Sequence, residues 1–167
     1  MSIVLFVFPL ICVGLVLAAS LHDIATRTIP NGLAVAVAAA GIATSAAGGY
    51  LFGSVLAATG IFVLSALCWR RGWMGGGDVK LLGAAALGMP ASSIFTFVVA
   101  VAIAGGVLAL FYVVARRLLP FRTPSRPAGL VSRAARVERW RISRGGPLPY
   151  ACAIAAGVLF VNAGGTL

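Results

Sequence analysis

The chain has 167 residues, of which 61% are hydrophobic and 10% are charged, and its net charge is +10. A soluble globular domain has roughly 25% charged residues, so this composition excludes that class and predicts one membrane-embedded domain over residues 1–167. The basic residues lie only in short gaps between apolar runs, as in loops that face anionic lipid, and we therefore expect no nucleic-acid partner.

The first apolar run, residues 1–21, carries no charge and is long enough for a transmembrane helix, which needs about 20 apolar residues. It differs from a secretory signal because no basic residue precedes it and because it exceeds the usual apolar length of about 7–15 residues. We expect a retained first helix. A polar connection follows over 22–31 and ends in Pro30 and Asn31, a helix stop followed by a restart.

The next run, 32–68, extends for 37 positions without a charge, which suffices for two spans with a glycine-rich turn at 48–53. A second polar connection occupies 69–78. The apolar run that begins at Val79 is only about ten residues long before the break at 88–93. This predicts a short fourth helix that is supported by its neighbours.

Two further spans are predicted over 93–115 and 149–163. The connection between them, 116–146, carries nine arginines and Glu138. Its segment 129–144 has two interpretations, a basic amphipathic helix on the inner leaflet or a solvated loop. The fold class is therefore all-α, a polytopic membrane protein with about six transmembrane helices.

Charge also predicts the topology. With six spans, all thirteen basic residues fall on one side of the membrane. The positive-inside rule makes that side cytoplasmic and places both termini outside.

The acidic residues number only three, namely Asp23, Asp78 and Glu138. Both aspartates are expected at cytoplasmic helix ends, where an ionisable group near the membrane is costly unless it is paired or hydrated. Two neighbouring carboxylates share one proton and titrate as a unit. Such a pair can activate water as a general base and protonate a leaving amine as a general acid. This predicts peptide hydrolysis by Asp23 and Asp78 with no metal and no cofactor.

Three glycines, Gly75 to Gly77, precede Asp78. Without a Cβ they can adopt positive φ and let another backbone approach, so we expect an extended substrate strand beside this loop. The alternative is structural: Asp78 would be only the N-cap of a helix that begins at Val79.

Two motifs resemble those of a known family. Asp23 followed by Ile29-Pro30-Asn31, together with Gly75-x-Gly77-Asp78-x-Lys80-Leu81, resembles the prepilin peptidases, membrane aspartyl peptidases of the GxGD type. Leu148-Pro149-Tyr150 resembles that family's Pro-Tyr or Pro-Phe start of the last helix. The resemblance implies that Asp23 and Asp78 are the catalytic pair and that Gly75 and Gly77 shape the site.

The resemblance also implies a location and a substrate. The protein would lie in the bacterial inner membrane and cut the basic leader of a type IV-like prepilin on the cytoplasmic face, after a glycine. Bifunctional members carry two CxxC pairs and N-methylate the new terminus. This chain has no CxxC, so it is similar to the short, peptidase-only form of tight-adherence (Flp) pili. The oligomeric state and the particular prepilin stay open.

Several neighbours of the motifs are candidates for supporting roles, namely Pro30, Asn31 and Lys80. Lys80 is two positions past Asp78 and is expected to face away toward lipid headgroups, with electrostatic support of Asp78 as the alternative. His22 is expected to be an interfacial polar residue and not a catalytic partner.

Two other function classes fit the same composition. One is a proton or ion pathway subunit, and the other is a pilus-assembly scaffold without activity. Neither an inverted repeat nor midplane carboxylates, which are typical of transporters, occur in the sequence.

Overall fold

Residues 2–118 and 148–165, which the computed structural model describes, form six α-helices. No strand occurs in those two ranges, so the predicted all-α fold is confirmed. The helices are α1 (Ser2–Thr26), α2 (Asn31–Ala47), α3 (Leu51–Arg70), α4 (Gly76–Ala86), α5 (Ile94–Leu118) and α6 (Tyr150–Asn162), with a short 3-10 turn at Ala91–Ser93 before α5. The predicted helix or loop over 129–144 lies outside the described residues.

The first connection is shorter than predicted. Helix α1 continues to Thr26, so only residues 27–30 separate it from α2. Arg27 ends the helix with φ 58°, and its amide N–H still donates to the carbonyl of Asp23 at 2.8 Å. Continued helix satisfies backbone groups that a loop at the membrane edge would leave exposed. Asp23 therefore belongs to the last turn of α1.

Helix α4 also begins earlier than predicted. Gly75 occupies its N-cap with extended backbone, and the helix starts at Gly76 instead of Val79. The predicted connection 69–78 is reduced to five residues, 71–75, because α3 continues to Arg70. With 11 residues α4 is about 16 Å long, half the roughly 30 Å hydrocarbon core, as its short apolar run predicts.

Packing places α4 among the other helices. It lies along α3 and α2 and touches α6, while α1 lies along α2 and α6 and α5 lies along α6. Every side chain from Leu81 to Ala86 is buried. Glycines allow the closest crossings, as where Gly41 of α2 meets the backbone of Gly88 just after α4. Small residues at such crossings let helix backbones approach inside a membrane.

Within the described part of the chain, three helical stretches are long and apolar enough to cross a membrane, namely Val7–Thr26, Leu51–Arg70 and Ala91–Leu118. Helices α2 and α6 are shorter and also apolar. Large apolar side chains remain exposed along them, including Leu10, Phe52 and Phe95. In water such a surface would be unstable, whereas lipid solvates it. The chain is an all-α, polytopic membrane protein.

Candidate active site

Asp23 lies on the last turn of α1 and is only 6% exposed. One turn earlier, Ser20 donates its hydroxyl to the carbonyl oxygens of Val16 and Ala151, each at 2.9 Å. The second acceptor belongs to the start of α6. This contact attaches the end of α1 that carries Asp23 to α6.

Asp78 is the third residue of α4 and is half-buried. Its carboxylate accepts a hydrogen bond from the backbone N–H of Gly75 at the N-cap. This is the acidic half of a capping box, and it places negative charge at the positive end of the helix dipole. The structural alternative, Asp78 as the N-cap of a helix from Val79, is therefore wrong in position, because Gly75 occupies the N-cap.

The two aspartates interact across the gap between α1 and α4. Burial raises the pKa of Asp78, the charge of Asp23 raises it further, and the Gly75 N–H lowers it, with the result that the pKa of Asp78 is about 6 against an ordinary 3.8. The like charge acts only because the carboxylates are close in a poorly hydrated region. Asp78 thus keeps its proton into the range where an isolated aspartate is fully ionised.

Gly75 and Gly77 leave room for neighbouring side chains. A Cβ on Gly75 would lie 2.8 Å from Oδ2 of Asp78, and one on Gly77 would lie 3.3 Å from Cβ of Ile29. The expected positive φ is wrong for this loop: Gly75 has φ −71°, and in the α3–α4 connection the left-handed glycine is Gly72. Space at the carboxylate and at Ile29, and not backbone freedom, is what these two glycines supply.

The supporting candidates meet beside the site. Pro30 is the N-cap of α2, and Asn31 is its first residue. Lys80 donates from Nζ to Oδ1 of Asn31 at 2.9 Å. Its expected orientation away from Asp78 agrees with the helical register, but its partner is Asn31. The alternative role of Lys80, electrostatic support of Asp78, stays a prediction.

His22 participates in the α1–α2 turn and not in the carboxylate pair. Its Nδ1 lies 2.8 Å from the carbonyl oxygen of Thr28 and 2.9 Å from Oγ1 of Thr26. Next to this turn, Arg27 donates from Nη2 to the hydroxyl of Tyr112 on α5 at 3.2 Å. These contacts fix the short connection that follows Asp23.

Tyr150 is a site residue that the sequence reasoning did not assign. It is the first residue of α6, after Pro149 at the N-cap, and it lies close enough to Asp78 for their charges to interact. Its ring packs against Gly105 of α5, where a Cβ would come within 2.7 Å. The available signal was Leu148-Pro149-Tyr150, which marked the start of a helix but gave no partner.

An apolar groove lies on the opposite face of α4. It has a volume of about 610 Å³, runs between α2, α3 and α4, and includes Lys80, Gly83 and Ala84 in its lining. Lys80 follows Asp78 by two positions, about 200° around a helix, so α4 separates this groove from the carboxylates. The groove is not the cleft that holds the aspartates.

No cluster of three or more His, Cys, Asp or Glu side chains able to hold a metal ion is found within 2–118 and 148–165.

Comparison with known proteins defines the class. The family model described as "Type IV leader peptidase family" matches residues 10–110, more than half of the chain and a range that includes both aspartates. The chain belongs to the type IV leader peptidase family and is a membrane peptidase. No curated protein and no solved structure matches it.

Proposed function

We propose that this peptidase is an aspartyl endopeptidase that removes the leader of a type IV-like, Flp-type prepilin at the cytoplasmic face of the bacterial inner membrane. One observation carries the proposal: the chain's only two aspartates, on different helices, are close enough that the charge of Asp23 raises the pKa of Asp78. A carboxylate pair that shares one proton contains both a base and an acid.

The hydrolysis needs only that pair and water. The ionised carboxylate takes a proton from water as the water oxygen attacks the scissile carbonyl carbon. The protonated carboxyl then gives its proton to the leaving nitrogen as the C–N bond breaks. The products are a carboxylic acid and an amine, and the dyad again holds one shared proton. The shared proton titrates with the pair as a unit.

Access favours approach from the α3–α4 connection. Asp23 is buried, Asp78 is half-buried, and Gly75 beside it is exposed. A substrate segment in extended form can pass over Gly75, which carries no side chain of its own beside the Asp78 carboxylate. The basic residues Arg70 and Arg71 near this connection support a cytoplasmic position by the positive-inside rule. In six-span topology both termini then lie outside.

Lack of methyl transfer is the second part of the proposal. No CxxC pair occurs in the 167 residues, and the three cysteines are far apart in sequence. We expect the new N-terminus of the product to be an unmodified amine.

Mass spectrometry of a co-expressed Flp-type prepilin tests both parts. Asp23→Asn and Asp78→Asn keep side-chain size and hydrogen bonding but remove the titratable proton, and each is expected to slow cleavage by at least about a hundredfold. Glu138→Gln, which changes the chain's third acidic side chain, is the matched control and is expected to cleave normally. Normal cleavage by both aspartate variants would contradict the dyad, and a methylated product would contradict the peptidase-only activity.

A further inference from the structure

We propose that Lys80 and Asn31 are positioning residues, which hold the start of α4 against the start of α2 and thereby set the relative position of Asp78 and Asp23. The inference rests on the proposed function, because it assigns a role in the same carboxylate pair. Two contacts carry it, and we call them together the α2–α4 clamp: the Lys80–Asn31 hydrogen bond of 2.9 Å and the packing of Ile29 on Gly77.

The helices that carry the aspartates meet each other over only a small area. Helix α1 packs along α2 and α6, whereas α4 packs along α3 and α2. The position of Asp78 relative to Asp23 is therefore set largely by how α1 and α4 each pack on α2. The clamp is the place where α2 holds α4 at the level of the site.

Short segments of chain connect the clamp to both carboxylates. Lys80 is two residues beyond Asp78 on the same helix. On the other side, Asn31 follows the four-residue connection from α1, which begins at Arg27, whose amide N–H donates to the Asp23 carbonyl. The proline at position 30 fixes φ at the end of that connection. Because this connection is short and restrained, a displacement of Asn31 is expected to displace the last turn of α1, which carries Asp23.

Gly77 contributes the second contact because it has no Cβ. A Cβ there would stand 3.3–3.4 Å from Cβ, Cγ1 and Cδ1 of Ile29. The α1–α2 connection therefore lies directly on the first turn of α4. The hydrogen bond and the apolar contact both join the beginning of α4 to the segment 29–31. Their positions on α4, Gly77 and Lys80, are three residues apart and are therefore neighbours on the helix surface.

A positioning role and an electrostatic role of Lys80 predict opposite shifts in the pH dependence of kcat/KM. Among the residues that the structure describes, Asp23 on α1 and Tyr150 on α6 are titratable groups that interact with Asp78. If the clamp loosens and the carboxylates separate, Asp23 raises the pKa of Asp78 less. The decline of kcat/KM at high pH then begins at lower pH. Loss of a nearby positive charge alone would move that decline to higher pH.

The test is a double-mutant cycle on prepilin cleavage by the purified full-length protein. Lys80→Met and Asn31→Leu are each expected to lower kcat about tenfold with KM changed less than about twofold, because the reacting groups are misplaced while the substrate-binding surface remains. The double variant is expected to be no slower than either single variant, since one contact is lost in all three. Lys80→Arg keeps a donor for Asn31 and is expected to restore most of the rate.

Controls separate this result from misfolding and from failure of the proposed function. The hydrogen bond is exposed, so all variants are expected to keep the wild-type melting temperature within a few degrees, and Arg70→Met, which removes another exposed charge, is expected to keep the wild-type rate. If Asp78→Asn cleaves normally, the proposed function itself is wrong. If Asp78→Asn is inactive while Lys80→Met and Asn31→Leu cleave at the wild-type rate, or if their losses multiply, the clamp alone is overturned.

Discussion

The two faces of α4 differ in nearly every physical respect. One face presents Asp78 to α1 and α6, where burial and a like charge raise its pKa and Tyr150 packs close by. The other face, with Gly83 and Ala84, forms the floor of an apolar groove between α2 and α3. A helix of 11 residues thus separates a polar site, where burial of a charge costs free energy, from an apolar surface that carries no such cost. We expect substitutions on the first face to change catalysis, and substitutions of Gly83 and Ala84 on the second face, away from the α2–α4 clamp, to change packing alone.

Among the substitutions that test the difference between the two faces, Gly75→Ala is expected to have the largest effect on cleavage. The backbone at Gly75 suits alanine, but the new Cβ would stand 2.8 Å from Oδ2 of Asp78, so the carboxylate must move. Displacement of a reacting group by about 1 Å costs on the order of a hundredfold, and we expect kcat/KM to fall about 10- to 100-fold. Cleavage assays on purified protein measure the effect.

Gly76→Ala is the control for that substitution. Its Cβ would approach Nε1 of Trp69 at 3.2 Å, and Trp69 is 54% exposed and can move. We expect a change in kcat/KM of less than about twofold, because no reacting group is displaced. Equal losses in the two variants would mean that the loop as a whole, and not space beside Asp78, matters.

An intermediate effect is expected on stability, through Asp78→Asn. The pKa of Asp78 is raised in the folded state, so the folded protein is penalised when the unfolded chain ionises first. The penalty is absent below about pH 4, grows as pH rises to about 6 and is constant above it. Asn keeps an acceptor for the Gly75 N–H but carries no charge. Above pH 6 the variant is therefore expected to be more stable than the wild type by about 1–2 kcal/mol, after allowance for partial solvent exposure.

Thermal unfolding in detergent at pH 4 and pH 8, followed by tryptophan fluorescence, measures that difference. The stabilisation is expected at pH 8 and not at pH 4. If the variant is less stable than the wild type by the same margin at pH 4 and pH 8, ionisation of Asp78 does not destabilise the folded protein.

Much of the architecture could be predicted from the sequence because it follows from one-dimensional patterns. Uncharged runs set the helices and the turn before α3, and the short run after Val79 predicted a short α4. The start of α4 could not be predicted so well. Three consecutive glycines disfavour helix, and the helical first turn is stabilised by the Asp78 cap on the Gly75 N–H and by contacts from distant residues, Ile29 on Gly77 and Asn31 on Lys80.

The site itself divides in the same way. Asp23 and Asp78 were identifiable because acidic residues are rare in this chain, so each one carried information. The positive φ expected of these glycines was wrong, and the approach of a substrate strand stays a prediction; sequence indicates where a side chain is missing but not which neighbour fills the space. Tyr150 reaches Asp78 only through the packing of α6 against α1 and α5. Periodicity within a helix contains no information about such a contact.

The smallest effect is expected from Gly83→Ala on the groove face. The new Cβ would meet Cδ2 and Cβ of Phe62 at 3.1 and 3.2 Å. The ring is 45% exposed beside the groove and can turn into it, whereas the contact with Cβ requires α3 and α4 to separate by a few tenths of an ångström. Helix propensity favours alanine over glycine by about 1 kcal/mol, which offsets the crowding, so the net change in stability is expected to stay within about 1 kcal/mol. Cleavage is expected to be unchanged, because α4 stands between this face and the carboxylates. If Gly83→Ala lowers kcat as much as Gly75→Ala does, strain passes through α4 from one face to the other, and the two faces are not independent.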